Sequence, residues 1–264
     1  MLKHRTLTAL VLLIICGGVM FYTPPAIFSA CCWLLCLIAI YELTKMYQFT
    51  LLQTGITSLA LTMCAVSFAV VHYDLSQIVR IISVAMWCFV APIILIFTPR
   101  KFSKLAIAVF CGLLFIPAYY SFTVFHAIFG PWQLLSLMAI AWVADTGAYF
   151  VGKRFGKRKL AKHISPGKTL EGAVGGLVLV IIYLSILHYF NLAYYLPTYR
   201  HVFKFAFILT IVSIIGDLLE SWFKRIAEVK DSGTILPGHG GIFDRIDSLI
   251  AVMAISFAII RGML

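Results

Sequence analysis

Apolar residues in this chain run in long unbroken stretches separated by short polar segments. Nine stretches stand out, at roughly 6–22, 25–42, 51–71, 78–97, 104–126, 131–151, 170–190, 202–222 and 246–261. Most approach the ~20 residues that a helix needs to cross a bilayer. None shows the roughly ten-residue alternating pattern of an outer-membrane strand. The pattern predicts an all-α, polytopic integral membrane protein with about nine transmembrane helices. The first two stretches are short and meet at Pro24-Pro25, so they form either a hairpin or one broken element. Lys3 and Arg5 precede the first stretch as they would in a signal peptide. No clear small-x-small cleavage site follows and further spans begin at once, so this segment is read as retained.

Composition agrees with the pattern. Hydrophobic residues make up 62% of the chain, charged residues 12%, and mean hydropathy is +1.01. A soluble domain of this length does not have such values. Residues 1–264 are read as one membrane domain, in which 1–130 is an apolar helical scaffold and 131–264 is the catalytic half, with nearly all groups capable of chemistry. All seven cysteines lie in apolar stretches of the first half, with no His at metal-ligand spacing. They read as small core hydrophobes.

The net charge of +11 matters mainly through its placement. With the N-terminus in the cytoplasm, the inside loops carry Lys45, then Arg100, Lys101 and Lys104, then the 152–169 loop and the 222–245 loop. The outside loops at 23–24, 72–77, 127–130 and 191–201 carry almost no charge, as the positive-inside rule expects. The basic balance therefore reads as topology plus attraction to anionic lipid and substrate. Nucleic acid is excluded as a partner, since there is no soluble basic domain to bind it.

Carboxylates are scarce and clustered: 10 in all, 8 of them between Asp145 and Asp247. Each is costly near lipid, so an intramembrane carboxylate is a functional candidate by default. Asp145 lies in an apolar helix, with Tyr149 one turn on. The loop after it holds Lys153, Arg154, Lys157, Arg158, Lys159, Lys162 and Lys168 and no acid. GKT at 167–169 suggests a P-loop, but that motif requires Gly where this chain has Lys162, and no strand precedes it. A helix start fits better: Ser165 or Thr169 can cap, Pro166 suits a first turn, and Glu171 favours the positive end. Free N–H groups there, together with Lys168, make a phosphate site. Gly172, Gly175 and Gly176 read as packing positions.

Asp217, Glu220, Ser221 and Lys224 fall on one helix face by their spacing. Pro237, Gly238, Gly240 and Gly241 force a tight turn, after which Asp244 and Asp247 open the last span. With Asp217 opposite, these carboxylates are expected to hold hard cations through oxygen ligands at the cytoplasmic side. His239 has no second His or Cys nearby and reads as a phosphate contact or a turn hydrogen bond.

The same residues resemble the phosphatidate cytidylyltransferase family, also called CDP-diacylglycerol synthase. Its pattern is Ser, two residues on Lys-Arg, then Lys-Asp, Pro-x-His-Gly-Gly and Asp-Arg-x-Asp. Here that reads Ser221, Lys224-Arg225, Lys230-Asp231, Pro237-Gly238-His239-Gly240-Gly241 and Asp244-Arg245-x-Asp247. ADTGAY (144–149) and SPGKTLEG (165–172) also match, although the usual form has Lys where this chain has Gly167. The likeness is strong over 140–250 and compositional before that.

The resemblance implies that CTP and phosphatidic acid give CDP-diacylglycerol and pyrophosphate in phospholipid biosynthesis. It implies Mg2+, with room for a second, monovalent cation such as K+. It implies a bacterial inner-membrane enzyme among membrane lipids, and is compatible with a homodimer. Asp217, Lys224, Asp244 and Asp247 would be catalytic, and Asp217, Asp244, Asp247 and Asp145 would hold metal. Ser165, Lys168, Thr169, Ser221, Arg225, Lys230, Asp231, His239, Gly240 and Arg245 would bind substrate. Two alternatives stay open: a divergent paralogue acting on another lipid phosphate, and an ion transporter using intramembrane carboxylates. The basic loop and the glycine turn argue against transport, since an ion path needs no triphosphate-binding surface.

Overall fold

The computed structural model describes residues 2–70, 74–99, 101–236 and 240–261. Helices α1 (Leu2–Tyr22), α2 (Pro25–Met46) and α3 (Leu51–Val70) come first. They are followed by α4 (Asp74–Val84) and α5 (Ala91–Phe97), then α6 (Lys104–Phe155), α7 (Leu170–Tyr189), α8 (Tyr199–Ile226) and α9 (Phe243–Arg261). Five described segments are long and apolar enough to cross a bilayer: Pro25–Met46, Ser76–Phe97, Lys104–Phe155, Leu170–Tyr189 and Tyr199–Ile226. The fold is that of a helical membrane protein.

The breaks have local causes. Pro24 is extended and Pro25 opens α2, so α1 and α2 are separate helices. A π-helical segment, Ala85–Val90, joins α4 to α5. Pro92 follows it, and a proline ring disrupts the preceding turn by clashing with the carbonyl four residues back. The 52 residues of α6 would span about 78 Å if straight. Gly130 interrupts it at φ 79°, ψ 171°, just before Pro131. At this end His126 Nε2 lies 2.8 Å from the Met20 carbonyl and Phe21 packs edge-on against Trp132. Lys104, at the start of α6, donates to the Gln48 carbonyl, while Gly152, near its far end, packs against Thr169. Gly130 therefore divides α6 into two helical segments.

Two departures from the expected elements lie between α6 and α7. Lys159–Ala161 (β1) pairs antiparallel with Ser165–Thr169 (β2), so the protein is not purely helical. Pro166 sits in β2 rather than in a first helical turn, and α7 starts at Leu170. Of the two expected caps, Thr169 fills the position: its Oγ1 accepts from Gly172 N at 3.1 Å. Backbone pairing holds Ser165 five residues before the first residue of α7.

Helix α9 is the centre of the bundle. Every residue from Leu249 to Ala258 is buried. A helix apolar all round has to be enclosed by other helices, and here α2, α4, α6 and α8 pack on it. Two long-range hydrogen bonds tie the C-terminal end of α8 to its neighbours. Tyr47 donates to the Phe223 carbonyl at 3.2 Å, and Arg225 Nε donates to the Ile164 carbonyl at 3.3 Å.

Candidate active site

Close helix packing brings the carboxylates together. At Gly216 a Cβ would lie 2.7 Å from the Asp247 carbonyl and 3.0 Å from Ala251 Cβ. Only glycine allows α8 to approach α9 this closely, and the approach sets Asp217 beside Asp247. Oxygen atoms of Asp217, Glu220 and Asp247 all lie within 4.8 Å of one another. Three converging carboxylates suit a hard cation with oxygen ligands. Glu220 is 1% exposed, and its Oε1 has no hydrogen-bond partner among the described residues. A buried oxygen of this kind is costly unless something else satisfies it, which fits a cation at this position.

Cationic side chains surround the cluster. Lys168 Nζ lies 2.5 Å from Asp217 Oδ2. Lys224 Nζ lies 2.6 Å from Glu220 Oε2 and 2.8 Å from Asp244 Oδ1, with the three side chains 13%, 1% and 6% exposed. The i,i+4 pair of Glu220 and Lys224 on the shared face of α8 is thus buried. Ser221 Oγ donates to Asp217 Oδ1 at 3.4 Å. Asp247 Oδ1 accepts from its neighbour Ser248 N at 2.7 Å.

A cavity of about 580 Å³ opens over this cluster. Asp145, Ser165, Gly167, Lys168, Thr169, Asp217, Asp244, Arg245 and Asp247 are among its lining residues. The wall behind them forms where α6 and α7 touch through glycine: a Cβ at Gly147 would lie 2.8 Å from the Gly175 carbonyl. Gly167 faces open space, with nothing within 4 Å of where its Cβ would be. The cavity thus combines carboxylates, an ammonium, a guanidinium and the N-terminal turn of a helix. Such a set can hold a cation and a polyphosphate side by side.

The sequence pattern of the cytidylyltransferase family matches residues 3–263. The chain belongs to the cytidylyltransferase family. It is 32% identical to a phosphatidate cytidylyltransferase of Pseudomonas aeruginosa over 272 residues, which is 98% of this chain and 97% of the relative. It is 35% identical to one from Staphylococcus haemolyticus over 260 residues, 96% of each chain. A Bacillus subtilis protein of the same name is 46% identical over 126 residues, 47% of this chain and 46% of its own length.

Set against the family motif, the residues fall into three groups. Asp217 and Asp247 converge, and Asp145, Ser165, Lys168, Thr169 and Arg245 share their cavity. Asp244 lines it too, but its carboxylate also accepts from Ser232 N and Gly241 N at 3.0 and 2.8 Å and from Lys224 at 2.8 Å. Ser221 leans on Asp217, and Arg225 reaches back to the β hairpin. Lys230 and Asp231 are exposed on the segment after α8. Gly240 turns the loop at φ +83°, where a Cβ would meet Asp244 Oδ2 at 2.7 Å. His239 lies outside the described residues.

Two acidic residues gain a place that the sequence did not assign them. Glu220 joins the carboxylate cluster; its spacing from Asp217 was the available signal. Glu42, on α2, is buried against Ser232, Gly233, Gly241, Ile242 and Phe243. Its signal was a lone acid inside an apolar span.

Proposed function

We propose that the chain is a phosphatidate cytidylyltransferase that moves the cytidylyl group of CTP onto phosphatidic acid, releasing pyrophosphate. One observation supports this most: Asp217 and Asp247, which converge with the buried Glu220, line a cavity whose walls also hold Lys168, Arg245 and the start of α7. The names of two relatives aligned over nearly their whole length point the same way.

In this reaction an oxygen of the lipid phosphate attacks the α-phosphorus of CTP. The new P–O bond forms as the bond to the β-phosphate oxygen breaks, and that oxygen leaves with pyrophosphate. The nucleophile is already ionised, so the protein need not supply a strong base. Its task is to position two anions and offset their charge. Lys168 receives triphosphate oxygens. The expected free N–H groups at the start of α7 are engaged, Leu170 N with the Arg158 carbonyl and Gly172 N with Thr169 Oγ1, so the helix end contributes only its positive dipole. Arg245 faces the same space, and Ser165 and Thr169 shape the wall. Arg225, Lys230, Asp231, His239 and Gly240 are assigned to substrate binding by the family motif alone. Lys224 is a catalytic group that holds Glu220 and Asp244 in place and brings its own positive charge. Mg2+ bound by Asp217, Glu220 and Asp247, with Asp145 and Asp244 on the same cavity wall, would neutralise developing phosphate charge.

The proposed membrane arrangement rests on helix count and the placement of basic loops. Counting α4–α5 as one span and α6 as two gives nine spans, with the N-terminus and the cavity on the cytoplasmic side. The basic loops then face inward, where CTP is available, and the site lies at the level of lipid headgroups in the inner membrane.

The test is to incubate purified protein in mixed micelles with phosphatidic acid, Mg2+ and each of the four nucleoside triphosphates. CTP alone should give the liponucleotide, with one pyrophosphate per product. No product with any nucleotide, or release of orthophosphate, would overturn the assignment.

A further inference from the structure

Glu42 lies in the half of the chain that reads as scaffold, yet its side chain is only 1% exposed. Among the described residues its carboxylate is held by one loop and the start of α9. Oε2 accepts from Ser232 Oγ at 3.1 Å and from Phe243 N at 2.8 Å, while Oε1 accepts from Ile242 N at 3.0 Å. The first N–H groups of a helix lack partners within it, and a side-chain acceptor just before the helix commonly satisfies them. Here that position is Ile242, which has no side-chain acceptor. A carboxylate from another helix takes its place, where the positive end of α9 favours it. The chain is shaped around this contact: a Cβ at Gly233 or Gly241 would come within 2.5 Å of a Glu42 oxygen. Asp244 grips the same loop from the other side through Ser232 N and Gly241 N.

We infer that Glu42 is a positioning residue for the active site: by capping α9 from α2 it sets the height and rotation of the turn that carries Asp244, Arg245 and Asp247. It touches no substrate and acts through α9. The inference rests on the cation and substrate roles proposed above for that turn.

The test compares wild type, Glu42→Gln and Glu42→Asp in detergent, reading Mn2+ affinity by electron paramagnetic resonance, Mg2+-dependent turnover and Tm. Glutamine has the same shape, but its NH2 must face a donor, because both oxygens of Glu42 accept. Glu42→Gln should weaken Mn2+ binding and lower kcat by about 10- to 100-fold, the scale for residues that orient metal ligands. Glu42→Asp keeps the charge and should recover part of both. Unchanged Mn2+ affinity, with turnover falling only in proportion to folded protein, would mean a merely structural role and would overturn the inference. If Glu42→Gln does not fold, Glu42→Asp decides: its shorter arm should still shift the Mn2+ affinity, and wild-type affinity overturns the proposal. A wild-type protein that binds Mn2+ but makes no liponucleotide would defeat the proposed reaction and leave the Glu42 result readable.

Discussion

Replacing Gly216 with alanine adds one methyl group between α8 and α9. Its Cβ would stand 2.7 Å from the Asp247 carbonyl, about 0.7 Å short of ordinary contact, which begins at 3.4 Å. Ala251 Cβ at 3.0 Å and Ser248 Cα at 3.1 Å close off sideways escape. None of these atoms is the free end of a flexible side chain, so the helices must separate by several tenths of an ångström. Overpacking of this kind costs about 1–3 kcal/mol, and the protein should still insert. The larger effect falls on the site. Asp217 follows Gly216 directly and Asp247 lies across the contact, so the cation ligands move apart. Mg2+ requires nearly ideal geometry at about 2.0–2.1 Å, and misplacement by 1 Å can cost roughly 100-fold in rate. Gly216→Ala should therefore lower kcat/KM for CTP by about 10- to 100-fold and raise the Mg2+ concentration for half-maximal rate. The assay is liponucleotide formation across an Mg2+ titration, with Tm measured on the same preparation. A normal Mg2+ midpoint together with a lowered Tm would refute the coupling of helix contact to cation site.

Asp217→Asn and Asp244→Asn should each abolish turnover while membrane insertion, followed by fractionation and Tm, is retained. Lys224→Ala leaves Glu220 and Asp244 facing each other without their shared cation. The cost should be about 3–5 kcal/mol of stability, the scale for breaking a buried ion pair, with kcat/KM down about 100-fold or more, as for a lost preorganised charge. Lys224→Arg should restore only part, since a planar fork does not replace a point ammonium between two carboxylates; stability and kinetics measured together check both. A cysteine at Lys157, in a background without the native thiols, should react with a membrane-impermeant reagent only from the cytoplasmic side; labelling from outside would reverse the topology.

Much of the bundle was legible because a bilayer demands long apolar runs, and the breaks at Pro24-Pro25 and Gly130-Pro131 stand out within them. The β hairpin was not. Ser165–Thr169 carries a cap residue and a proline, which suit the first turn of a helix as well as a short strand. The grouping of Asp217 with Asp247 was visible from their places at the inner ends of two spans. Glu220 was placed on one helix face with Asp217, Ser221 and Lys224, but spacing does not show what covers that face or that its carboxylate converges with Asp247. The second partner of Lys224, Asp244, is 20 residues away. Glu42 was hidden for the same reason: Ser232 and Phe243 are 190 and 201 positions distant, and no local pattern reports contacts over that range.

The cation site is tested most directly by Mn2+ binding, read by electron paramagnetic resonance, in wild type and in Asp217→Asn and Asp247→Asn. Wild type should show a saturable protein-bound signal that each substitution weakens by at least about tenfold, the loss of one charged ligand from a three-carboxylate set. Equal binding by all three proteins would place the cation elsewhere and contradict the assignment of these carboxylates.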